Sequence, residues 1–146
     1  MERLNDTILL VGRILIAALF LSAGLPKVQQ VLAGGFAQYL ASLGVPFADF
    51  VAMVAVAVEV LVPVAIILGV FPRISALLLI AFTVVATLLA HRFWQMPVEQ
   101  QQLQTIQFFK NIAVIGGLLL YFVSGPGAFS LAGRKTSVGA GAPAAA

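Results

Sequence analysis

Cysteine is absent from this 146-residue sequence, and histidine occurs only once. Without thiols the chain cannot form disulfides, thiolate metal sites or cysteine-ligated iron–sulfur clusters. One histidine and three methionines are too few for a zinc site or a bis-histidine haem held by this chain alone. No glycine-rich phosphate loop and no nucleophile triad is present. The sequence therefore predicts no metal site and no catalytic residue, and any redox role requires a bound cofactor or a partner protein.

Charged residues are also scarce. They make up 9% of the chain, against about 25% in a typical soluble domain. Hydrophobic residues make up 62%, and the mean hydropathy is +1.10. The net charge of +3 comes from basic residues that are scattered along the chain and form no stripe, which argues against nucleic-acid binding. The composition predicts an integral membrane protein in contact with the lipid bilayer.

Four apolar runs are long enough, or nearly so, to cross a bilayer, which takes about 20 residues. They cover residues 8–25, 51–70, 74–90 and 108–124. Between the first two, residues 35–44 carry apolar side chains at helical spacing and predict a short helix on the membrane surface. We therefore expect an all-α membrane protein. Its four-transmembrane-helix bundle, with a short interfacial helix between helices 1 and 2, forms one domain over residues 1–131, and residues 132–146 form a disordered tail.

Basic residues are unequally shared between the two ends of this bundle. The end with both termini has Arg3, Arg73, Arg134 and Lys135, and the other end has Lys27, Arg92 and Lys110. Because basic residues accumulate on the cytoplasmic side of membrane proteins, both termini are predicted to be cytoplasmic and the short helix to lie outside.

Glu59 interrupts the second apolar run near its middle, and Pro63 follows four residues later. Because proline has no N–H, the backbone carbonyl of Glu59 loses its helical partner. A carboxylate at this depth costs about 2.5 to 3.5 kcal/mol on insertion scales and needs a partner. Depths estimated at about 1.5 Å per residue favour Arg13 in the first run as that partner, with Lys27 as the competitor.

Two interpretations of these polar residues remain open. In the functional one, Glu59 and Arg13 belong to a ligand pocket with four further groups at its rim and the short helix as its lid. The rim groups besides Lys27 are His91, Lys110 and Asn111. In the structural one, the intramembrane charges only join helices, and the lysines extend to lipid headgroups. His91 alone is more typical of an interfacial histidine than of a catalytic one.

A series of short motifs occurs in order over residues 8–131. The motifs are Gly12-Arg13, Ser22-Ala23-Gly24-Leu25-Pro26-Lys27, Leu43-Gly44-Val45-Pro46, Val58-Glu59-Val60, Gly69 with Pro72-Arg73, His91 with Phe93-Trp94, Phe109-Lys110-Asn111, and Gly125-Pro126-Gly127 with Ser130-Leu131. Together they resemble the DoxX family of small bacterial inner-membrane proteins. The family often has an aspartate after the serine-leucine pair, where this chain has Ala132.

The resemblance implies a multi-pass protein of the bacterial inner membrane, with relatives linked to quinone-dependent oxidation and to membrane redox complexes. It also places the six polar residues named above on the family's polar motif positions. The first hypothesis is an oxidoreductase-associated subunit that binds a quinone or similar lipid-soluble molecule in the outer half of the bundle. The second is a non-catalytic scaffold that docks a soluble partner protein through residues 91–107 or the tail. A small-solute transporter is disfavoured, since no inverted repeat of broken helices is visible.

Overall fold

A computed structural model of the chain describes residues 1–132. Five α-helices and one 3₁₀ turn make up the described part, which contains no strand. The helices are α1 (Glu2–Leu32), α2 (Gly35–Ser42), α3 (Ala48–Leu68), α4 (Pro72–Ala90) and α5 (Val98–Ser124), and the 3₁₀ turn covers Phe93–Gln95. The predicted tail lies outside the described residues, apart from Ala132.

The predicted fold class is confirmed. The long helices α1, α3, α4 with the following 3₁₀ turn, and α5 are each long and apolar enough to cross a membrane. The short helix α2 lies between the first two, as predicted, and packs on α3 through Ala37 and Leu40 against Ala52. One end of the bundle, called here the α2 end, carries α2 and the 3₁₀ turn. The other, called the terminal end, carries the start of α1, the α3–α4 turn and residues 125–132.

The first span is longer than the apolar run at residues 8–25 that predicted it. Helix α1 continues through Pro26 to Leu32, so Lys27 lies on a helix and not in a loop. Proline inside a membrane helix is tolerated when surrounding groups satisfy the freed backbone carbonyl. The helix also begins before that run, at Glu2. Because α1 continues to Leu32, Arg13 lies further from the α2 end than the depths estimated from the sequence.

Helices α1 and α3 form the central pair of the bundle. The buried residues of α1 are Arg13, Ala17, Phe20 and Gly24, and those of α3 are Ala52, Val56, Glu59, Pro63 and Ile66. Both sets alternate steps of four and three residues, which is the seam spacing of helices that pack lengthwise. Because a connection on one side of the membrane joins them through α2, the two helices run antiparallel.

The remaining helices complete the core around this pair. Helix α4 follows α3 after a three-residue turn at Gly69, and α5 packs mainly on α4. Because the turn is this short, α3 and α4 pack side by side and run antiparallel. The core cluster joins all four long helices through Phe20, Ile66, Ala76, Leu79, Leu118 and Tyr121. Its position near the middle and terminal end leaves the α2 end less densely filled.

Candidate functional site: a polar-headed cavity at the α2 end

Glu59 is paired with Lys27, so the prediction that Arg13 is its partner is wrong. The Lys27 ammonium nitrogen Nζ lies 2.6 Å from Glu59 Oε2 and 2.9 Å from Oε1, and donates to both oxygens. The side chain of Glu59 is 6% exposed and that of Lys27 is 28% exposed. The ammonium of Lys27 thus binds both carboxylate oxygens of Glu59, which is almost fully buried.

The antiparallel register of α1 and α3 explains the correction. Gly24 of α1 lies level with Glu59 of α3, since a Cβ built on Gly24 would come 3.0 Å from Glu59 Cγ. Lys27 is one helical turn beyond Gly24 and reaches the carboxylate. Arg13 is eleven residues before Gly24, which at 1.5 Å per residue is about 16 Å along the axis, beyond the reach of its side chain. Gly69, and not Glu59, lies beside Arg13.

The part of α3 where Pro63 removes a helical hydrogen bond is packed closely against α1. Pro63 lies inside α3 and offers no N–H to the Glu59 carbonyl. Gly24 covers that carbonyl closely, because its built Cβ would be 3.2 Å from the Glu59 backbone oxygen. A glycine at this point therefore lets α1 approach the part of α3 where the backbone lacks a helical hydrogen bond.

A cavity of about 620 Å³ extends from this ion pair toward the α2 end. Its walls are mostly apolar and come from all five helices. Phe36, Tyr39, Leu40 and Leu43 on and beside α2 line one side of it. Five of the six predicted site residues also line it: Lys27, Glu59, His91, Lys110 and Asn111. The volume falls in the range of about 300 to 1,000 Å³ that is usual for small-molecule sites.

Neighbouring polar groups orient three of these side chains. The amide Nδ2 of Asn111 donates to Thr87 Oγ1 at 2.9 Å, and Thr87 Oγ1 donates to the Thr83 carbonyl at 2.6 Å. His91 Nδ1 lies 2.8 Å from Gln104 Oε1 on α5. The Lys27 ammonium also lies 5.5 Å from the centre of the Phe36 ring, within cation–π distance. Sequence reasoning did not identify Thr87 or Gln104, because a single threonine or glutamine carries no pattern of its own.

Arg13 lies outside this cavity. It is 1% exposed at the terminal end, where its Nη2 donates to the backbone carbonyl of Phe129. Gly69, which ends α3, lies beside its Nη1. The carboxyl ends of α3 and α5 both reach this region, and their unsatisfied carbonyls favour a cation there. The arginine therefore joins the start of the chain to residues 125–131, and it is not part of the cavity.

Comparison with known proteins gives a consistent result. The family model described as DoxX matches residues 8–92. The chain is 37% identical over 127 residues to the inner membrane protein YphA of Escherichia coli (strain K12), covering 87% of this chain and 89% of that protein. It is 34% identical over 131 residues to the inner membrane protein YqjF of the same organism, covering 90% of this chain and 94% of that one. No solved structure matches significantly.

Proposed function

Since this chain is a member of the DoxX family of integral membrane proteins, we propose that it is an oxidoreductase-associated membrane subunit that binds a quinone or similar lipid-soluble molecule. The binding site is the cavity at the α2 end. The observation that carries the proposal is one mostly apolar cavity whose lining also includes the hydrogen-bonding side chains of Lys27, Lys110 and Asn111. Such a combination suits a ligand with a polar ring and an apolar tail.

The cavity offers the hydrogen bonds that a quinone ring needs. Lys27 has a third N–H beyond the two directed at Glu59, and Asn111 has a second amide N–H beyond the one given to Thr87. Lys110 lines the same cavity. When bound, a quinone would supply the electron-accepting chemistry that the side chains of this chain lack. The chain's own part is to bind and orient the ring, with Glu59 setting the local charge.

Access from the membrane is consistent with this ligand class. Val54 on α3 and Val85 on α4 line the cavity and are also exposed on the outside of the bundle, at 45% and 56%. They lie at the same level, because α3 and α4 are antiparallel around the turn at Gly69. In a membrane this surface faces lipid, so a lipid-soluble molecule can enter between α3 and α4 without passing through water.

Filling the cavity tests the proposal. Ala86 lines the cavity on α4, whereas Ala113 lies exposed on the outside of α5. Ala86→Phe should abolish binding of decylubiquinone to the purified protein in nanodiscs, and Ala113→Phe should leave it unchanged. Both variants should keep a wild-type thermal midpoint within a few degrees. If wild type binds no quinone, or if both variants bind it equally, the cavity is not the site and the scaffold function is favoured.

The proposed orientation places the α2 end, and so the cavity, outside, with both termini in the cytoplasm of a bacterial cell. The two relatives are named inner membrane proteins. Arg3 and Arg73 at the terminal end support the orientation through the positive-inside tendency. A cytoplasm-active reporter fused after residue 146 should be active, and a periplasm-active reporter at the same point should be inactive. The reverse result would invert the proposed topology.

A further inference from the structure

The cavity contains more positive than negative charge. Two lysines, Lys27 and Lys110, line it together with a single carboxylate, Glu59. Lys27 donates hydrogen bonds to both oxygens of Glu59, so the two charges of that ion pair cancel. Lys27 and Glu59 form the only ion pair among residues 1–132. Lys110 therefore carries the one positive charge in the cavity that no carboxylate balances.

Lys110 differs from Lys27 in its surroundings. It lies on α5, directly before Asn111, and it remains exposed at the edge of the cavity. No acceptor within the described part of the chain binds its ammonium. A cation beside a low-dielectric, apolar wall attracts an anion more strongly than the same cation in bulk water. The ammonium of Lys110 is thus free to bind an anionic group at the cavity.

The rest of the cavity excludes a small soluble anion as the preferred ligand. Its walls are mostly apolar side chains, and two of the residues that line it, Val54 and Val85, are also exposed on the outside of the bundle. A phosphate or sulfate ion would leave this apolar surface without a partner. An apolar chain would cover it, and each buried methylene contributes about 0.8 kcal/mol.

We infer that the cavity selects an amphiphile with one apolar chain and an anionic headgroup, a long-chain carboxylate, whose headgroup is bound by Lys110. The inference rests on the proposed function, because it uses the same cavity, and among lipid-soluble ligands it assigns the preference to an anionic one over a neutral quinone. The chain extends along the wall between α3 and α4. The carboxylate lies near Lys110 and the free N–H of Asn111, and not at Lys27, whose charge is already balanced by Glu59.

Photocrosslinking tests this inference. Wild-type protein in nanodiscs of zwitterionic phosphatidylcholine is irradiated with a diazirine-labelled palmitate at pH 8, and crosslinks are mapped by mass spectrometry. Labelling should map to cavity residues and should be displaced by oleate but not by methyl oleate, which has the same chain and no charge. Lys110→Met should reduce the labelling about tenfold, because a hydrogen bond to a charged group is lost. Lys110→Arg, which keeps the charge, should restore it.

The control is Arg92→Met, which removes a neighbouring cation that does not line the cavity and should leave labelling unchanged. Equal competition by methyl oleate, or equal labelling of Lys110→Met and wild type, would overturn the inference. Displacement by phosphatidylglycerol and not by oleate would show that Lys110 binds the headgroup of a bilayer lipid, and would also overturn it. Decylubiquinone binding without fatty-acid labelling would contradict the charge preference while leaving the proposed function intact. If neither probe binds, both proposals fail.

Discussion

Gly24 of α1 lies directly against Glu59 of α3. A Cβ on Gly24 would meet the Glu59 side chain at 3.0 Å and its backbone oxygen at 3.2 Å, and it would also approach Val60 Cγ2 at 3.1 Å. The close approach places Lys27, one turn further along α1, within hydrogen-bonding distance of the carboxylate. The geometry of the cavity's ion pair therefore depends on a residue that has no side chain.

Gly24→Val should destabilise the bundle by about 1 to 3 kcal/mol, the usual cost of overpacking a tight interface. The control is Gly12→Val on the same helix, where a Cβ would have nothing within 4 Å. The measurement is the thermal midpoint of each purified variant in the same detergent. Equal midpoints for the two variants would show that α1 and α3 do not pack closely at Glu59.

Lys27 and Glu59 should show strong energetic coupling. Lys27→Met leaves a nearly buried carboxylate without its cation, and breaking a buried pair in this way costs about 3 to 5 kcal/mol. The partial exposure of Lys27 favours the lower end of that range. Adding Glu59→Gln to Lys27→Met should recover much of the loss, because no unpaired charge remains.

The control for this cycle combines Arg13→Met with Glu59→Gln. These residues lie at different ends of the bundle, so their effects should add within about 0.5 kcal/mol. Both cycles are measured by thermal or denaturant unfolding in one detergent. If the effects of Lys27→Met and Glu59→Gln on the free energy of unfolding were additive, the ion pair between these residues would be contradicted. Strong coupling between Arg13→Met and Glu59→Gln would instead support the pairing that the sequence favoured.

Gly69→Ala should be much more harmful than Gly44→Ala. Both glycines have positive φ, +67° and +78°, so alanine at either position carries a backbone cost of about 1 to 2 kcal/mol. At Gly44 the new methyl group would have nothing within 4 Å, whereas at Gly69 it would come 2.6 Å from Arg13 Nη1 and still closer to Ser130 Cβ. The difference between their thermal midpoints measures the packing of the arginine against the α3–α4 turn. No difference would show that residues 125–131 are not packed there.

Asp6 should hold the segment after α5 in place. Its Oδ1 accepts a hydrogen bond from the Ala128 N–H at 2.8 Å. Asp6→Ala should speed amide hydrogen exchange around residue 128, with a cost of about 1 kcal/mol. Glu2→Ala removes a nearby carboxylate of the same helix without such a bond and serves as control. Equal protection in wild type and Asp6→Ala would mean that Arg13 alone holds this segment.

Local sequence patterns were sufficient for the helices. Apolar runs of spanning length predicted the four long helices, and helical spacing of apolar residues predicted the short α2, because the backbone of a membrane helix forms its hydrogen bonds within one segment. The boundaries of α1 were less predictable. Pro26 is a helix breaker in water, but in the bundle it lies within a continuous helix.

The candidate site shows where sequence reasoning stopped. Polarity at depth identified Glu59, since such residues are rare in apolar runs, and Lys27 and Asn111 were placed at the rim of the same pocket. It could not identify Thr87 or Gln104, whose roles come from the neighbours on an adjacent helix. It also grouped Arg13 with the cavity, because intramembrane charge is visible in a sequence and the position along the bundle axis is not.

The sequence by itself determined that this is a four-helix membrane protein of the DoxX family with a buried carboxylate that needs a partner. Those properties follow from hydropathy, charge and short motifs, all of which are local. The tertiary structure decided which cation pairs with Glu59. The choice depends on the antiparallel register of α1 and α3, which is set by side-chain packing around Gly24 and by the true end of α1. Lys27 and Arg13 are fourteen residues apart on α1, which is about 21 Å along the helix axis, so Lys27 lies in the cavity and Arg13 lies at the opposite end of the bundle.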